Sequence, residues 1–214
     1  MPGPASAASG PIPGWNGEMF LLCIAQHRRN KNLDLLLRSF GRLVTSGALT
    51  RTARLVIVGM QGPETPALQA LVQQLELAAR VDFLEGLSEA ELHWCYRHCA
   101  VVVAPSSIEG FGLPVAEARM AGCRIVCSDI PAFCELASAP VRFVSLQGDA
   151  ESGLGRAVEE VLRQPRPAPD GLPELSLDVI AAAYVELYRA TLAQQPEAVL
   201  SSRSMNRFKE GKLL

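Results

Sequence analysis

The chain carries little net charge, few aromatic rings and no long apolar run, and each shortage narrows what it can do. Its 20 basic residues nearly balance 22 acidic ones, for a formal net charge of −2. Non-specific nucleic-acid binding needs a strong basic field, so this balance argues against it. Aromatic residues make up 6%, too sparse for a base-stacking surface. No apolar stretch reaches the roughly 20 residues that span a bilayer, so no transmembrane segment is expected. The opening "MPGPASAASGPIPGWNGE" has no basic start and no apolar core and is not expected to act as a secretory signal. No G-x-G-x-x-G follows the first apolar run, which argues against a dinucleotide oxidoreductase. No DxD pair follows a strand-like run, so a metal-held diphosphate is not expected and neither a metal nor a cofactor is assigned.

Cysteine and histidine are present but poorly arranged for metal chemistry. The six cysteines, Cys23, Cys95, Cys99, Cys123, Cys127 and Cys134, fall mostly inside apolar runs such as "LLCIA" and "RIVCSD". They read as reduced core thiols of a cytosolic protein rather than a disulfide framework, which belongs to short secreted chains. No pair has CxxC spacing. His93 and His98 share a helix with Trp94 and read as packing or solvent-facing residues, while His27 sits in a basic loop.

What is present is a core and an alternation. Hydrophobic residues make up 49% of 214, enough for one sizeable domain. Short apolar runs at 19–25, 53–59, 81–86, 100–105, 124–129 and 141–145 read as strands. Between them lie stretches with helical spacing, such as Leu33, Leu36, Leu37, Phe40, Leu43 and Val44. Thr65 and Pro66 suit the N-cap and first helical position of a second helix, and Ser88 with Glu91 has capping-box spacing, flanked by Leu87 and Leu92 as a staple. Helices are also expected over 113–122, 150–163 and 176–194. Continuous apolar strands alternating with helices predict an α/β domain built on a doubly wound parallel sheet of about six strands. Residues 1–17 read as a flexible linker or tail, 18–195 as the domain, and 196–214 as a flexible tail. In such a sheet, ligands bind beyond the carboxyl ends of the strands at the switch point, so the loops after strands are the place to search.

One of those loops stands out: "APSSIEGFGLPVAE". Pro114 suits the first turn of a helix, where its missing N–H has no intrahelical partner. Glu109 then lies in the loop and Glu117 about one turn inside the helix. Gly110 and Gly112 let the backbone approach a ligand closely. The unpaired amides and the dipole of the helix start form an anion site. Glu117 could accept from the hydroxyls of a ribose diol or merely favour the first turn electrostatically. Glu109 could meet a sugar hydroxyl, stabilise developing positive charge, or stay solvated.

The segment "RVDFLEGLSEAELHWCYRHCAVVVAPSSIEGFGLPVAEARMAGCRIVCSDIPAFCEL", with two glutamates separated by seven residues in "EGFGLPVAE", resembles the retaining GT-B glycosyltransferases of group 1, family four. The resemblance runs from about residue 19 to residue 163 and implies the C-terminal, Rossmann-like half of a GT-B fold. It implies that Glu117 holds the donor's ribose, that Glu109 lies beside the transferred sugar, and that the backbone of Gly110, Phe111, Gly112 and Leu113 contacts sugar and diphosphate. Lys31 in "QHRRNKN" matches the basic residue that neutralises the diphosphate, with Glu109 the catalytic pair. Arg28 and Arg29 are weaker candidates. Gly59 and the turn Glu85–Gly86–Leu87 match the places where the family positions the nucleobase, and Glu135 matches a common glutamate.

Two departures stand out. Ala25–Gln26 replaces the "GR" common in the family, removing an arginine that binds phosphate, and Arg124 replaces a usual proline. The resemblance further implies a UDP- or GDP-sugar as donor, a glycan or lipid-linked acceptor, and a separate N-terminal GT-B half as partner. The expected setting is cytoplasmic, including attachment at the inner membrane face. The competing reading is a non-catalytic nucleotide-sugar-binding or partner-binding module on the same fold.

Overall fold

The computed structural model describes residues 10–136, 141–173 and 176–193. Six strands form one sheet: β1 (Phe20–Ile24), β2 (Arg54–Val58), β3 (Val81–Leu84), β4 (Val101–Ala104), β5 (Ile125–Ser128) and β6 (Val141–Val144). Their order is β3-β2-β1-β4-β5-β6, and every pairing is parallel. This is the expected doubly wound α/β sheet. The chain moves outward from β1 to β3, then returns to pair β4 with β1 and moves outward the other way. The switch point therefore lies between β1 and β4.

Burial follows position in the sheet. All four residues of β4 and of β5 are buried, as are four of the five in β1 and in β2. Those strands are covered on both faces, which is why they read as unbroken apolar runs. The edge strand β3 is only half-buried and carries Asp82, which takes two hydrogen bonds from the Arg54 guanidinium of β2, at 2.9 and 2.6 Å.

Helices α1 (Leu33–Thr45), α2 (Thr65–Gln74), α3 (Glu89–His98), α4 (Leu113–Met120), α5 (Pro131–Glu135) and α6 (Ala150–Leu162) connect or follow the strands. Helix α1 buries Leu33, Leu36, Leu37, Phe40 and Leu43, five of the six residues expected from its spacing, with Val44 partly buried against the core. The capping box at α3 is present: Glu91 N–H donates to Ser88 Oγ at 3.4 Å, and Ser88 N–H donates to Glu91 Oε2 at 2.8 Å. Thr65 is the first residue of α2 rather than its cap, because its hydroxyl accepts from the Gly62 amide and pairs with His27. The five-residue helix α5 has no counterpart among the expected elements; it is too short to show a period.

Part of the stretch read as linker packs. Ile12 is buried, and the Trp15 ring meets Trp94 edge-on at 4.8 Å. An indole of this size finds apolar cover where it can. The chain divides into two compact units, Met1–Gly171 and Leu172–Leu214. The second contains α7 (Leu177–Ala193), which lies within the stretch read as domain. The tail expected over 196–214 lies outside the described residues. Among the described residues, no helix is long and apolar enough to cross a membrane.

Candidate functional site

Beyond the carboxyl ends of β1 and β4, two loops are tied together. After β1 the chain makes a single 3-10 turn over Arg29–Lys31, then Asn32 takes a left-handed conformation, φ 47°. Asparagine tolerates that region because its short side chain bonds locally. Here it reaches across instead: Asn32 Nδ2 donates to the Pro105 carbonyl at 2.8 Å. Asn30 Nδ2 donates to the Ile108 carbonyl at 3.2 Å, and Ser107 N–H donates to the Asn30 carbonyl at 2.8 Å. These bonds fix the loop that follows β1 against the loop that follows β4.

The result is a charged pair at the switch point. Lys31 Nζ lies 2.5 Å from Glu109 Oε1, with the two side chains only 16% and 13% exposed. Glu117 stands one turn inside α4, half-buried, and accepts from the Tyr96 hydroxyl at 2.7 Å. Between the two glutamates the backbone is built for close approach. Gly112 caps α4 at φ 89°, and a Cβ there would come within 2.9 Å of the Phe133 ring and 3.0 Å of Leu136. The amides of Val115 and Ala116 are taken by the Gly112 carbonyl. Those of Gly110, Phe111, Gly112 and Leu113 donate to no acceptor among the described residues. A Cβ on Gly110 would meet nothing within 4 Å, so packing does not demand glycine there. Phe111 and Leu113 are large apolar side chains left exposed. The arrangement offers one cation, four unpaired amides and two carboxylates in a short stretch of surface. Such a set can hold a doubly charged anion whose substituents carry hydroxyl groups.

Among the described residues, the others singled out in the sequence make no side-chain bond to Lys31, Glu109 or Glu117. Arg28 and Arg29 are exposed and border two cavities of about 510 Å³ each, one beside α1 and α2, the other beside Met60 to Glu64. Neither cavity is lined by Lys31, Glu109 or Glu117. Gln26, at the position of the missing arginine, lines the second of them. Gly59 has a packing reason to be glycine, since a Cβ there would lie 2.1 Å from the Ala25 carbonyl oxygen. Leu87 is half-buried between Gly86, φ 69°, and the α3 cap. Glu135 is exposed on α5.

His27 is 1% exposed, with Nδ1 2.8 Å from Thr65 Oγ1. Burial holds its pKa below the usual value, against an opposing pull from Glu85. That describes a neutral packing residue. His98 stacks on Trp94 at 4.2 Å, and His93 is exposed. All the cysteines except Cys134 are buried, and all are free thiols. Burial pushes Cys23 up to about 12 and Cys95 up to about 11, so these are not nucleophiles. No metal-holding cluster occurs among the described residues.

Three residues of the site escaped the sequence reading: Asn30, Asn32 and Tyr96. The asparagines carried a usable signal, since two of them around a lysine in "RRNKN" suggest a left-handed turn. Tyr96 carried a weaker one. It follows Cys95 on the buried side of α3, and a buried phenol requires a partner.

The family description "Glycosyl transferases group 1" matches residues 11–183. The O-antigen chain mannosyltransferase RfbU of Salmonella typhimurium is 33% identical over 111 residues, covering 52% of this chain and 31% of that protein. An uncharacterized glycosyltransferase of Bacillus subtilis, YqgM, is 32% identical over 139 residues, covering 64% of this chain and 38% of that protein. The chain thus spans well under half the length of these relatives. Among solved structures, WaaG, a glycosyltransferase involved in lipopolysaccharide biosynthesis, superimposes with a TM-score of 0.60 at 19% identity, covering 70% of this chain and 39% of that one. The C-terminal domain of a group 1 glycosyl transferase, LpcC of Francisella tularensis, gives 0.57 at 17% identity, covering 69% of this chain and 82% of that domain. Anabaena HepE, solved with UDP and glucose, gives 0.59 at 16%, covering 69% of this chain and 40% of that one. The family match covers most of the sequence and the sheet agrees with the GT-B neighbours, so this chain belongs to the group 1 glycosyltransferases.

Proposed function

We propose that this domain binds a nucleoside-diphosphate sugar and supports retaining transfer of its sugar to a glycan or lipid-linked acceptor. The observation that carries the reading is the Lys31–Glu109 pair, 2.5 Å apart, set beside the unpaired amides that open α4. As the glycosidic bond breaks, the leaving diphosphate gains negative charge and the sugar's anomeric carbon gains positive charge. Lys31 and the amides of Gly110 to Leu113 stabilise the first, and Glu109 the second, with no metal required. A lysine ammonium has three donors, so one can stay with Glu109 while another reaches a phosphate oxygen. Glu117 takes the ribose. Phe111 and Leu113, exposed in the free domain, are covered by the donor.

The mannosyltransferase relatives and the UDP-bound neighbour support a nucleotide-sugar donor of this kind. In this reading the acceptor is held by a second lobe, within the same polypeptide or on a separate one. The buried free thiols favour a cytoplasmic setting. One observation favours the alternative of a binding module without catalysis: Gln26 stands where an arginine is common.

A thermal-shift panel of UDP- and GDP-sugars tests the donor site. Ligand that binds only the folded state raises the melting temperature by mass action. At least one nucleotide sugar is expected to raise it, and Glu117→Ala is expected to abolish the rise. A rise that survives Glu117→Ala removes Glu117 from the ribose role. Nucleotide binding without transfer to any acceptor, once a second lobe is supplied, selects the module reading.

A further inference from the structure

Tyr96 is 1% exposed, yet its hydroxyl does not end on a nearby backbone carbonyl. It donates across 2.7 Å to Glu117 Oε2, a half-exposed carboxylate on a different helix. No other hydrogen bond to that carboxylate occurs among the described residues, so Oε1 is left open. The tyrosine itself is anchored from behind. Its carbonyl accepts from Arg166 Nη2 at 2.6 Å and from the thiols of Cys99 and Cys123 at 3.3 and 3.1 Å. The arginine and thiol contacts at this carbonyl, with the ring enclosed, leave Tyr96 little room to follow a moving partner, so the carboxylate must conform to the phenol. Burial first, then the hydrogen bond and charge of Glu117, raise the phenol's pKa above its ordinary value. It therefore stays a donor throughout the neutral range.

We propose that Tyr96 is a positioning residue for the nucleotide: it occupies one oxygen of Glu117 and turns the other toward the two hydroxyls of the ribose. The proposal rests on the donor-site reading of Glu117. Without the phenol the carboxylate would rotate among several rotamers, and ordering it on each binding event would weaken recognition of the diol. The chemistry recognised is a vicinal diol on a nucleoside diphosphate, whatever its base.

The test is titration calorimetry of the full 214-residue chain with UDP, GDP and their 2′,3′-dideoxy counterparts. For the wild type, the ribose form is expected to bind about tenfold tighter than the dideoxy form. In Glu117→Ala that ratio is expected to fall to about one. In Tyr96→Phe the ribose form is expected to weaken about three- to tenfold while the dideoxy form is unchanged. Adding Tyr96→Phe to Glu117→Ala is expected to change nothing further, because the tyrosine acts through the glutamate. If Tyr96→Phe lowers the melting temperature but keeps the wild-type ratio, the tyrosine is structural only and the proposal is overturned, while the donor site stands. If Glu117→Ala keeps the ratio, or neither nucleotide binds, the donor-site reading itself fails and takes this proposal with it. A crystal of the wild type with UDP or GDP checks the same point without a variant. Ribose held by Glu117 with the Tyr96 bond broken would overturn the positioning role.

Discussion

Glu109 competes with any incoming phosphate for the Lys31 ammonium. In the free domain the two charges are mostly shielded from water and satisfy one another. Neutralising Glu109 removes both the competitor and a negative charge beside the anion site. Glu109→Gln is therefore expected to bind free UDP or GDP about three- to tenfold tighter than the wild type, read by calorimetry. On the proposed mechanism the same variant is expected to lose sugar transfer, since Glu109 is the carboxylate assigned to the developing positive charge. Weaker diphosphate binding in Glu109→Gln would show that the pair acts as one preformed unit. The residue scale also separates glycines by reason. Gly112 and Gly59 are explained by a positive φ or a crowded backbone, whereas Gly110 has open space around it and packing does not require glycine there.

At the scale of elements, α3 matters more than its exposed position suggests, because it carries Tyr96 toward α4. Its start is secured by the Ser88–Glu91 box. The Ser88 hydroxyl and amide hold the Glu91 carboxyl below its ordinary pKa. The sign follows from that direction. The stabilisation is fully present above the unfolded carboxylate's pKa and is lost as pH falls through the folded value. Ser88→Ala is expected to lower the melting temperature by about 2–4 °C at neutral pH, and the difference from wild type is expected to shrink in acid. A difference that stays constant from neutral pH down to about pH 3 would remove Glu91 from the effect. The cap was legible in the sequence, since its residues lie three apart and act locally. The start of α2 was misplaced by one residue because Thr65 turns its hydroxyl to Gly62 and His27, and His27 is 38 positions away.

For the molecule as a whole, the decisive join is between β1 and β4, where the two directions of winding meet. Asn32 sits on that join with a left-handed backbone and a side chain on Pro105. Asn32→Ala loses the bond and raises the cost of the conformation, so a destabilisation of about 1–2 kcal/mol is expected in urea unfolding. Donor-induced thermal shifts are expected to shrink with it, because Lys31 is the neighbour that moves. An Asn32→Ala protein with wild-type stability and wild-type nucleotide binding would show that the join does not place Lys31.

The sequence by itself determined the strands, their parallel order class and the loop that bears Glu109 and Glu117. Strands buried on both faces must be apolar throughout, and Pro114 marks the helix start that follows the glycine-bearing turn. Lys31 was singled out through the family resemblance alone; local pattern could not pair it with Glu109, which lies 78 residues away, since two arginines precede it in the same loop. The crossing of the chain at the switch point sets Lys31 against Glu109 and leaves Arg28 and Arg29 bordering other cavities. The same holds for Tyr96, which meets Glu117 across two helices, 21 positions away. Local pattern encodes which elements form. Which side chains converge at their ends is decided when the sheet is assembled.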